Sequence, residues 1–302
     1  MKRQPKKHQI LYALCGILGA LLVLITVELV YSSYALTVSR YVVRSEKVND
    51  SIRIVFLSDL HGREFGTDNE RLLVAISNEQ PDLIALVGDM INHNADANEI
   101  DRVCGFIRRA SDIAPVFFSN GNHEQSYLRT HDTELLERVR ESGAVVLAGE
   151  YVDLEFCGTP LRIAGNRGYY RQPIMTTLDP EQIKREIAFA DAFEETDSFK
   201  LLLDHVPTTW LDWDYINTFP VDLILSGHYH GGVVRIPILE QGLYAPYVGW
   251  FPAYTKGLFE GSKATCVLTT GLAGSKFPRF FNPPEIAVVD LMPEEPSDTC
   301  MY

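Results

Sequence analysis

Two histidines one residue apart, His228 and His230, follow Gly227 at the end of the apolar run 221–226. Four more apolar stretches upstream end in similar chemistry: Asp59-Leu60-His61, Gly88-Asp89, Gly121-Asn122-His123 and Asp204-His205. Runs that end repeatedly in Asp, Asn or His have the composition of a metal centre. Nitrogen and oxygen donors without thiolate suit Mn, Fe or Zn better than Ca or Mg alone. A two-metal hydrolase needs a carboxylate that bridges both ions, neutral ligands that hold them, and open positions for water and substrate. Asp89, a lone Asp after Gly88, suits the bridge. Asp59 and His61 can turn to one ion if the chain bends after its strand. His228 and His230 can divide between two ions, Asn122 offers an amide oxygen, and His205 an imidazole. Singly, each residue has a plainer explanation, since an Asp at a strand end usually caps a helix. The joint pattern outweighs those explanations.

Such residues need strands to carry them, because ligands of open α/β sheets collect at the carboxyl ends of strands. Strand patterns occupy 52–57, 83–87 and 116–118, and helical patterns occupy 69–79, 98–110 and 133–141. This alternation means an α/β sheet with helices packed on it. After Gly143 come short strands at 144–147, 151–156 and 161–164, then a helix at 180–190. Buried strands resume at 199–203 and 223–225, and more are expected near 233–236, 255–259, 264–269 and 286–291.

The N-terminus carries a second signal. Lys2, Arg3, Lys6 and Lys7 precede an uncharged stretch, 10–27, that continues past Glu28 to Tyr31. About 20 residues span a bilayer core of ~30 Å, and the basic flank puts the N-terminus in the cytoplasm and the rest outside. The alternative is a secreted chain cut at Ser33-Tyr34-Ala35, although the apolar run exceeds the ~7–15 residues usual for a signal peptide. The expected organisation is a basic segment (1–9), an anchor (10–31), a linker (32–50), one catalytic domain (51–292) and a polar tail (293–302). Net charge is −13, and beyond residue 40 there remain 22 basic against 39 acidic residues. So acidic a domain repels a nucleic-acid backbone, which argues against nucleic-acid binding. No protein partner is implied. The five scattered cysteines show no CxxC spacing and are expected to be incidental thiols.

The order Asp-x-His, Gly-Asp, Gly-Asn-His-Glu, His, Gly-His-x-His resembles that of the calcineurin-like metallophosphoesterases. Four later segments resemble its membrane-associated bacterial branch, related to the YaeI and YkuE phosphoesterases. They are His230-Gly231-Gly232, Arg235-Ile236-Pro237, Thr270-Gly271-Leu272-Ala273-Gly274 and Pro283-Pro284-Glu285-Ile286. The resemblance covers about residues 50–292. It implies an αββα sandwich, two mixed β-sheets flanked by helices, after one transmembrane helix. It implies a first metal on Asp59, His61, Asp89 and His230, and a second on Asp89, Asn122, His205 and His228. His123 would face the scissile phosphate as general acid or charge stabiliser. The activity implied is hydrolysis of a phosphodiester or pyrophosphate, on a lipid-linked, cell-envelope or small phosphorylated substrate. A phosphomonoesterase is the alternative, and a non-catalytic scaffold a remoter one, because no expected ligand is missing. Val233 stands where the branch usually has Gln, and Asn166-Arg167 occupies a loop that is often acidic, so substrate preference stays open. His93 and His131 belong to no motif and are expected at the surface or at helix starts. Arg279 is expected to contact phosphate or to form a salt bridge. The aromatic segment 244–254 is expected to be loop packing, with an apolar wall for a lipid as the alternative.

Overall fold

Ile52, Ile54 and Phe56 face one apolar layer while Val55 and Leu57 face another. Leu83, Ala85 and Val87 alternate in the same way with Ile84 and Leu86. Strands covered on both faces read as unbroken apolar runs, which is why these segments show no polar alternation. The computed structural model describes residues 7–131, 134–166, 180–273 and 278–294.

In chain order the elements begin with α1 (Lys7–Tyr34), β1 (Thr37–Ser45), β2 (Ile52–Leu57), α2 (Glu70–Asn78), β3 (Leu83–Val87), α3 (Ala97–Ser111), β4 (Val116–Ser119), α4 (Asn122–Thr130), α5 (Glu134–Glu141) and β5 (Ala144–Leu147). They continue with β6 (Glu150–Phe156), β7 (Thr159–Gly165), α6 (Pro180–Glu194), β8 (Phe199–Leu203), α7 (Thr208–Leu211) and β9 (Leu223–Ser226). Two short hairpins follow, β10 (Arg235–Ile236) with β11 (Gln241–Gly242), and β12 (Tyr244–Ala245) with β13 (Gly249–Trp250). The last strands are β14 (Gly257–Glu260), β15 (Thr265–Leu268) and β16 (Glu285–Pro293).

One six-stranded sheet has the order β1-β16-β2-β3-β4-β5, the other β14-β15-β9-β8-β7-β6. Each mixes parallel and antiparallel pairs. Between the sheets lie Ile54, Phe56 and Phe117 from one and Leu201, Leu203 and Leu225 from the other. Outside the first sheet, α2, α3 and α5 contribute Leu72, Ile76, Val103, Phe106 and Leu135. Outside the second, α6 and α7 contribute Phe193 and Trp210. The layers are therefore αββα, as expected.

The expected linker, 32–50, is corrected. Its first residues finish α1, and 37–45 form β1, paired in parallel with β16 from Thr37↔Glu285 to Ser45↔Pro293. An edge strand buries little of itself: Val43 is buried while Val42 stays in solvent. A strand so mixed in polarity reads as a linker. The end of α1 is docked on the same region. Arg63 donates to Ser33 O and Arg71 to Tyr34 O at 3.2 Å, satisfying carbonyls that a helix C-terminus leaves open. Glu28 Oε1 accepts the Phe281 N–H at 2.9 Å, and Ser32 Oγ the Asn282 N–H at 3.1 Å.

Candidate metal centre

The chain makes a left-handed turn just beyond several strands. Asp59 and His61 follow β2, Asp89 follows β3, and His228 and His230 follow β9, all with φ between 47° and 69°. Asp and His tolerate that region better than most side chains. The turns fold the side chains back over the strand ends. Asn122 and His123 open α4 directly after β4, and His205 follows β8. The carrying strands are parallel within each sheet, so all these ends lie on one side. Glycine is required at two close approaches: a Cβ on Gly121 would collide with Asp89 Oδ1, and one on Gly227 with Ser58 Oγ.

The donor atoms fall into groups. Those of Asp59, His61 and His230 lie within 4.8 Å of one another, as do those of Asp89, His205 and His228, and those of His61, Asp89 and His123. Asp89 Oδ2 lies 3.9 Å from His61 Nε2 and 3.2 Å from His205 Nε2, between the first two groups. Asp59 Oδ1 lies 3.7 Å from His230 Nε2. Asp59 Oδ1, His61 Nε2, Asn122 Oδ1, His205 Nε2 and His228 Nε2 are buried atoms with no hydrogen bond. Buried polar atoms are normally paired. A set that converges unpaired around one carboxylate fits a pair of cations. Five of the seven residues expected as ligands supply such atoms, and Asp89 and His230 lie in the same donor groups.

Electrostatics agree. Burial raises the Asp59 and Asp89 carboxyls, but the surrounding histidines outweigh it and hold both below the usual range. Burial lowers His205, yet Asp89 and Asp59 outweigh it and push the imidazole up to about 10. His61 and His228 are pushed down, chiefly by burial, to about 4 and about 3, which keeps them neutral as ligands must be. A proton on His205 stands where the carboxylates call for a cation.

Hydrogen bonds to the far ring nitrogens fix what each histidine presents. His205 Nδ1 lies 2.8 Å from Val87 O, and His230 Nδ1 lies 3.2 Å from Ala273 O. Carbonyls only accept, so these nitrogens carry the proton and Nε2 offers a lone pair. His123 is the opposite case. Its Nδ1 accepts the His93 N–H at 3.0 Å, which puts the proton of the neutral ring on Nε2, 4.0 Å from Asp89 Oδ2. Two of these rings thus expose a lone pair at Nε2, and the third an N–H.

Glu124 holds the arrangement from behind. Its buried carboxylate accepts four backbone N–H groups, from Asp89 (2.8 Å), Met90 (2.7 Å), Ile91 (3.0 Å) and Gly121 (2.8 Å). Burial, then the Asp89 charge, push its carboxyl up to about 7 against those donors. Asp89 Oδ1 in turn accepts the His123 N–H at 2.8 Å, and Asp59 Oδ2 the His228 N–H at 3.1 Å.

The centre opens into a cleft of about 770 Å³. His93 is exposed as expected and also lines the cleft, while His131 lies apart, stacked on Tyr127. Tyr244, Pro246 and Tyr247 form another wall, and Tyr247 stacks on His228 with ring centroids 5.3 Å apart. Part of segment 244–254 is therefore a wall rather than loop packing. Arg279 takes neither expected role. It is buried and donates to Thr270 O, Gly271 O, Ala273 O and Asn282 O, tying the loop whose Ala273 carbonyl orients His230. Val233 lines the cleft, and Asn166 Nδ2 lies 3.4 Å from Asp204 Oδ2, while Arg167 is outside the described residues. Sequence reasoning gave no role to His93 or Glu124, and both act through backbone N–H groups, for which residue spacing holds no signal.

Comparison with known proteins agrees with this geometry. Residues 52–232 match the calcineurin-like phosphoesterase family model. YkuE of Bacillus subtilis, an uncharacterized metallophosphoesterase, is 27% identical over 80% of this chain and 79% of its own length. The phosphodiesterase YaeI of Escherichia coli is 24% identical over 80% of this chain and 82% of its own. LpxG of Chlamydia muridarum, a UDP-2,3-diacylglucosamine pyrophosphatase, is 22% identical over 79% of this chain and 83% of its own. Among the relatives compared, the matched part is between 62% and 93% of the relative's own length. The αββα layers, the ordered ligand motifs and the family match lead to one statement: the chain belongs to the calcineurin-like phosphoesterase family of metal-dependent phosphoric ester hydrolases.

Proposed function

We propose that this chain is a membrane-anchored, two-metal phosphoesterase that cleaves a phosphodiester or pyrophosphate bond in a lipid-linked or cell-envelope substrate. The observation that carries the reading is the convergence of unpaired buried donors on both sides of Asp89. Asp59, His61, Asp89 and His230 would hold one ion, and Asp89, Asn122, His205 and His228 the other. Two ions of Mn, Fe or Zn would polarise the phosphoryl oxygens and offset charge on the attacking and leaving oxygens. The chain's own residues do the rest. Asp89 sets the spacing of the two groups, and the carbonyls of Val87 and Ala273 fix the rings of His205 and His230. His123 holds a proton on Nε2 for the leaving group. The names of YaeI and LpxG support a diester or pyrophosphate. The helix α1, long and apolar enough to cross a membrane, supports the anchor.

The test strips metal from the full-length protein, reloads it with Mn, Fe or Zn, and compares bis(p-nitrophenyl) phosphate with p-nitrophenyl phosphate. Diester turnover that depends on about two ions per chain is expected, with the monoester slower. Asp89→Ala should lose metal and activity together, because both ions share that ligand. An active Asp89→Ala chain with both metals would remove Asp89 from the bridge.

A further inference from the structure

The most exposed apolar side chains outside α1 gather on the hairpins beside the cleft. Ile238 is 99% exposed and Leu239 71%, at the turn between β10 and β11. Tyr247 is 73% exposed, Trp250 69% and Phe251 60%, on and just after the β12–β13 hairpin. An aliphatic pair and three aromatic side chains standing in water at two hairpin tips do not stabilise a monomer; exposed apolar side chains gathered in this way mark an interaction surface.

What covers the patch follows from its continuity with α1. Val234 pairs with Phe280, and Phe280 O accepts the Arg235 N–H at 3.0 Å, so the base of the first hairpin rests on residue 280. The next residue, Phe281, is itself exposed and bonds through its N–H to Glu28 of α1. Glu28 lies three residues before Tyr31, so this contact sits about 4.5 Å deeper along the helix axis than Tyr31. Tyr31 and Tyr34 are the aromatic pair at the end of the apolar span, the position of an interfacial belt. The segment 280–282 therefore sits where the apolar span ends, and the first hairpin starts from it. The same segment touches the centre, since Asn282 Nδ2 donates to His230 O at 2.7 Å. One short stretch of chain joins the span, the apolar tips and a candidate ligand. Trp, Tyr and Phe are also the side chains suited to a bilayer interface, with an apolar body and, in Trp and Tyr, a polar edge.

We infer that the tips formed by Ile238, Leu239, Trp250 and Phe251 dock into the bilayer surface on which α1 emerges, and that the cleft takes its substrate from that leaflet. The occupant is the lipid interface. The substrate class is a membrane lipid whose head group carries a phosphodiester or pyrophosphate, drawn in along the wall of Tyr244, Pro246 and Tyr247. This rests on the membrane-anchored phosphoesterase reading above.

The test uses the full-length protein in phosphatidylcholine vesicles whose acyl chains carry bromine near the head group. Bromine quenches tryptophan only in contact range. Of the other two tryptophans Trp210 is buried in the core and Trp213 is 40% exposed, so the expected result is a strong quenched component that vanishes in Trp250→Phe and persists in Trp213→Phe. A second arm compares phosphatidyl-p-nitrophenol in the vesicles with soluble bis(p-nitrophenyl) phosphate. The double variant Ile238→Glu/Leu239→Glu should lose about tenfold or more on the lipid, because two apolar contacts become charges, and keep its rate on the soluble diester. A protein that floats with the vesicles and cleaves the soluble diester, yet shows no Trp250 quenching or slows equally on both substrates, overturns the inference alone. Failure to float overturns the anchor and the docked tips together. Quenching without cleavage of any diester supports docking and strikes the phosphoesterase reading instead.

Discussion

The proton on His123 is placed by a backbone group. Because the His93 N–H occupies Nδ1, the neutral ring keeps its hydrogen on Nε2, facing Asp89 across 4.0 Å. A general acid matters in proportion to how poor the leaving group is, with a typical worth of ~10²–10⁴-fold. His123→Ala should keep both metals and lose that factor on alkyl diesters, but lose less on nitrophenyl diesters, whose leaving group departs unprotonated. Equal losses on the two would indicate charge stabilisation, and loss of metal would make His123 a ligand. Glu124 is the complementary case, a positioning residue that touches no substrate. Glu124→Gln replaces one carboxylate oxygen by an amide that donates, so two of the four N–H groups lose their acceptor. Each buried N–H left without an acceptor costs about 1–3 kcal/mol. Chemical denaturation should show a loss of that order, with weaker metal retention. Unchanged metal affinity in Glu124→Gln would separate the carboxylate from the geometry of Asp89. The candidate ligands were legible in the sequence because each has a side chain that binds metal and stands at the end of an apolar run. Glu124 and His93 were not given roles, because their work is done on backbone groups brought close only by the fold.

At the scale of elements, legibility follows burial. Strands β2, β3, β8 and β9 are covered on both faces and announce themselves as apolar runs. Helix α3 shows Ile100, Val103, Phe106 and Ile107 along one face, and an Asp96 cap on the Glu99 N–H. Besides the short α7 and the hairpin strands β11, β12 and β13, two longer elements escaped. Helix α4 buries only Glu124 among its nine residues, so no apolar stripe marks it. Strand β1 is an edge strand of mixed polarity and passes for a linker, although it runs beside β16 for nine residue pairs. Its role can be tested by two truncations. A chain starting at Leu36 keeps β1 and should unfold cooperatively with its metals bound. A chain starting at Glu46 lacks β1 with its buried Val43 and exposes one edge of β16, and an unpaired strand edge invites aggregation. It should be insoluble, or melt lower by about 5 °C or more, the shift expected for a few kcal/mol in a domain of this size. Equal melting of the two chains would show that residues 37–45 act as the linker their composition suggests.

Over the whole molecule, charge and apolar residues are segregated along the sequence. Lys2, Arg3, Lys6 and Lys7 precede the span, and a domain with 22 basic against 39 acidic residues follows residue 40. Basic flanks are retained in the cytoplasm, while acidic residues weigh little in the choice, so the catalytic domain is expected outside. The remaining alternative is removal of α1 at Ser33-Tyr34-Ala35, and the packing there argues against it. The Ala35 N–H still bonds Tyr31 O at 2.9 Å, the carbonyls of Ser33 and Tyr34 are held by Arg63 and Arg71, and Ser32 is buried. A peptidase needs this stretch extended and free, whereas here it is helical and tied to the domain. Cleavage before folding would also forfeit the Glu28 and Ser32 contacts that hold segment 280–282 beside His230. Protein extracted from membranes should therefore carry an intact α1, read by mass spectrometry of the whole chain. A C-terminal epitope should be reached by antibody on intact cells or spheroplasts. An epitope accessible only after lysis would reverse the orientation, and a mature chain starting at Leu36 would replace the anchor by a secreted enzyme. With orientation and retention both as expected, the reaction takes place within reach of the outer lipid surface, where the exposed hairpin tips beside the cleft have a partner.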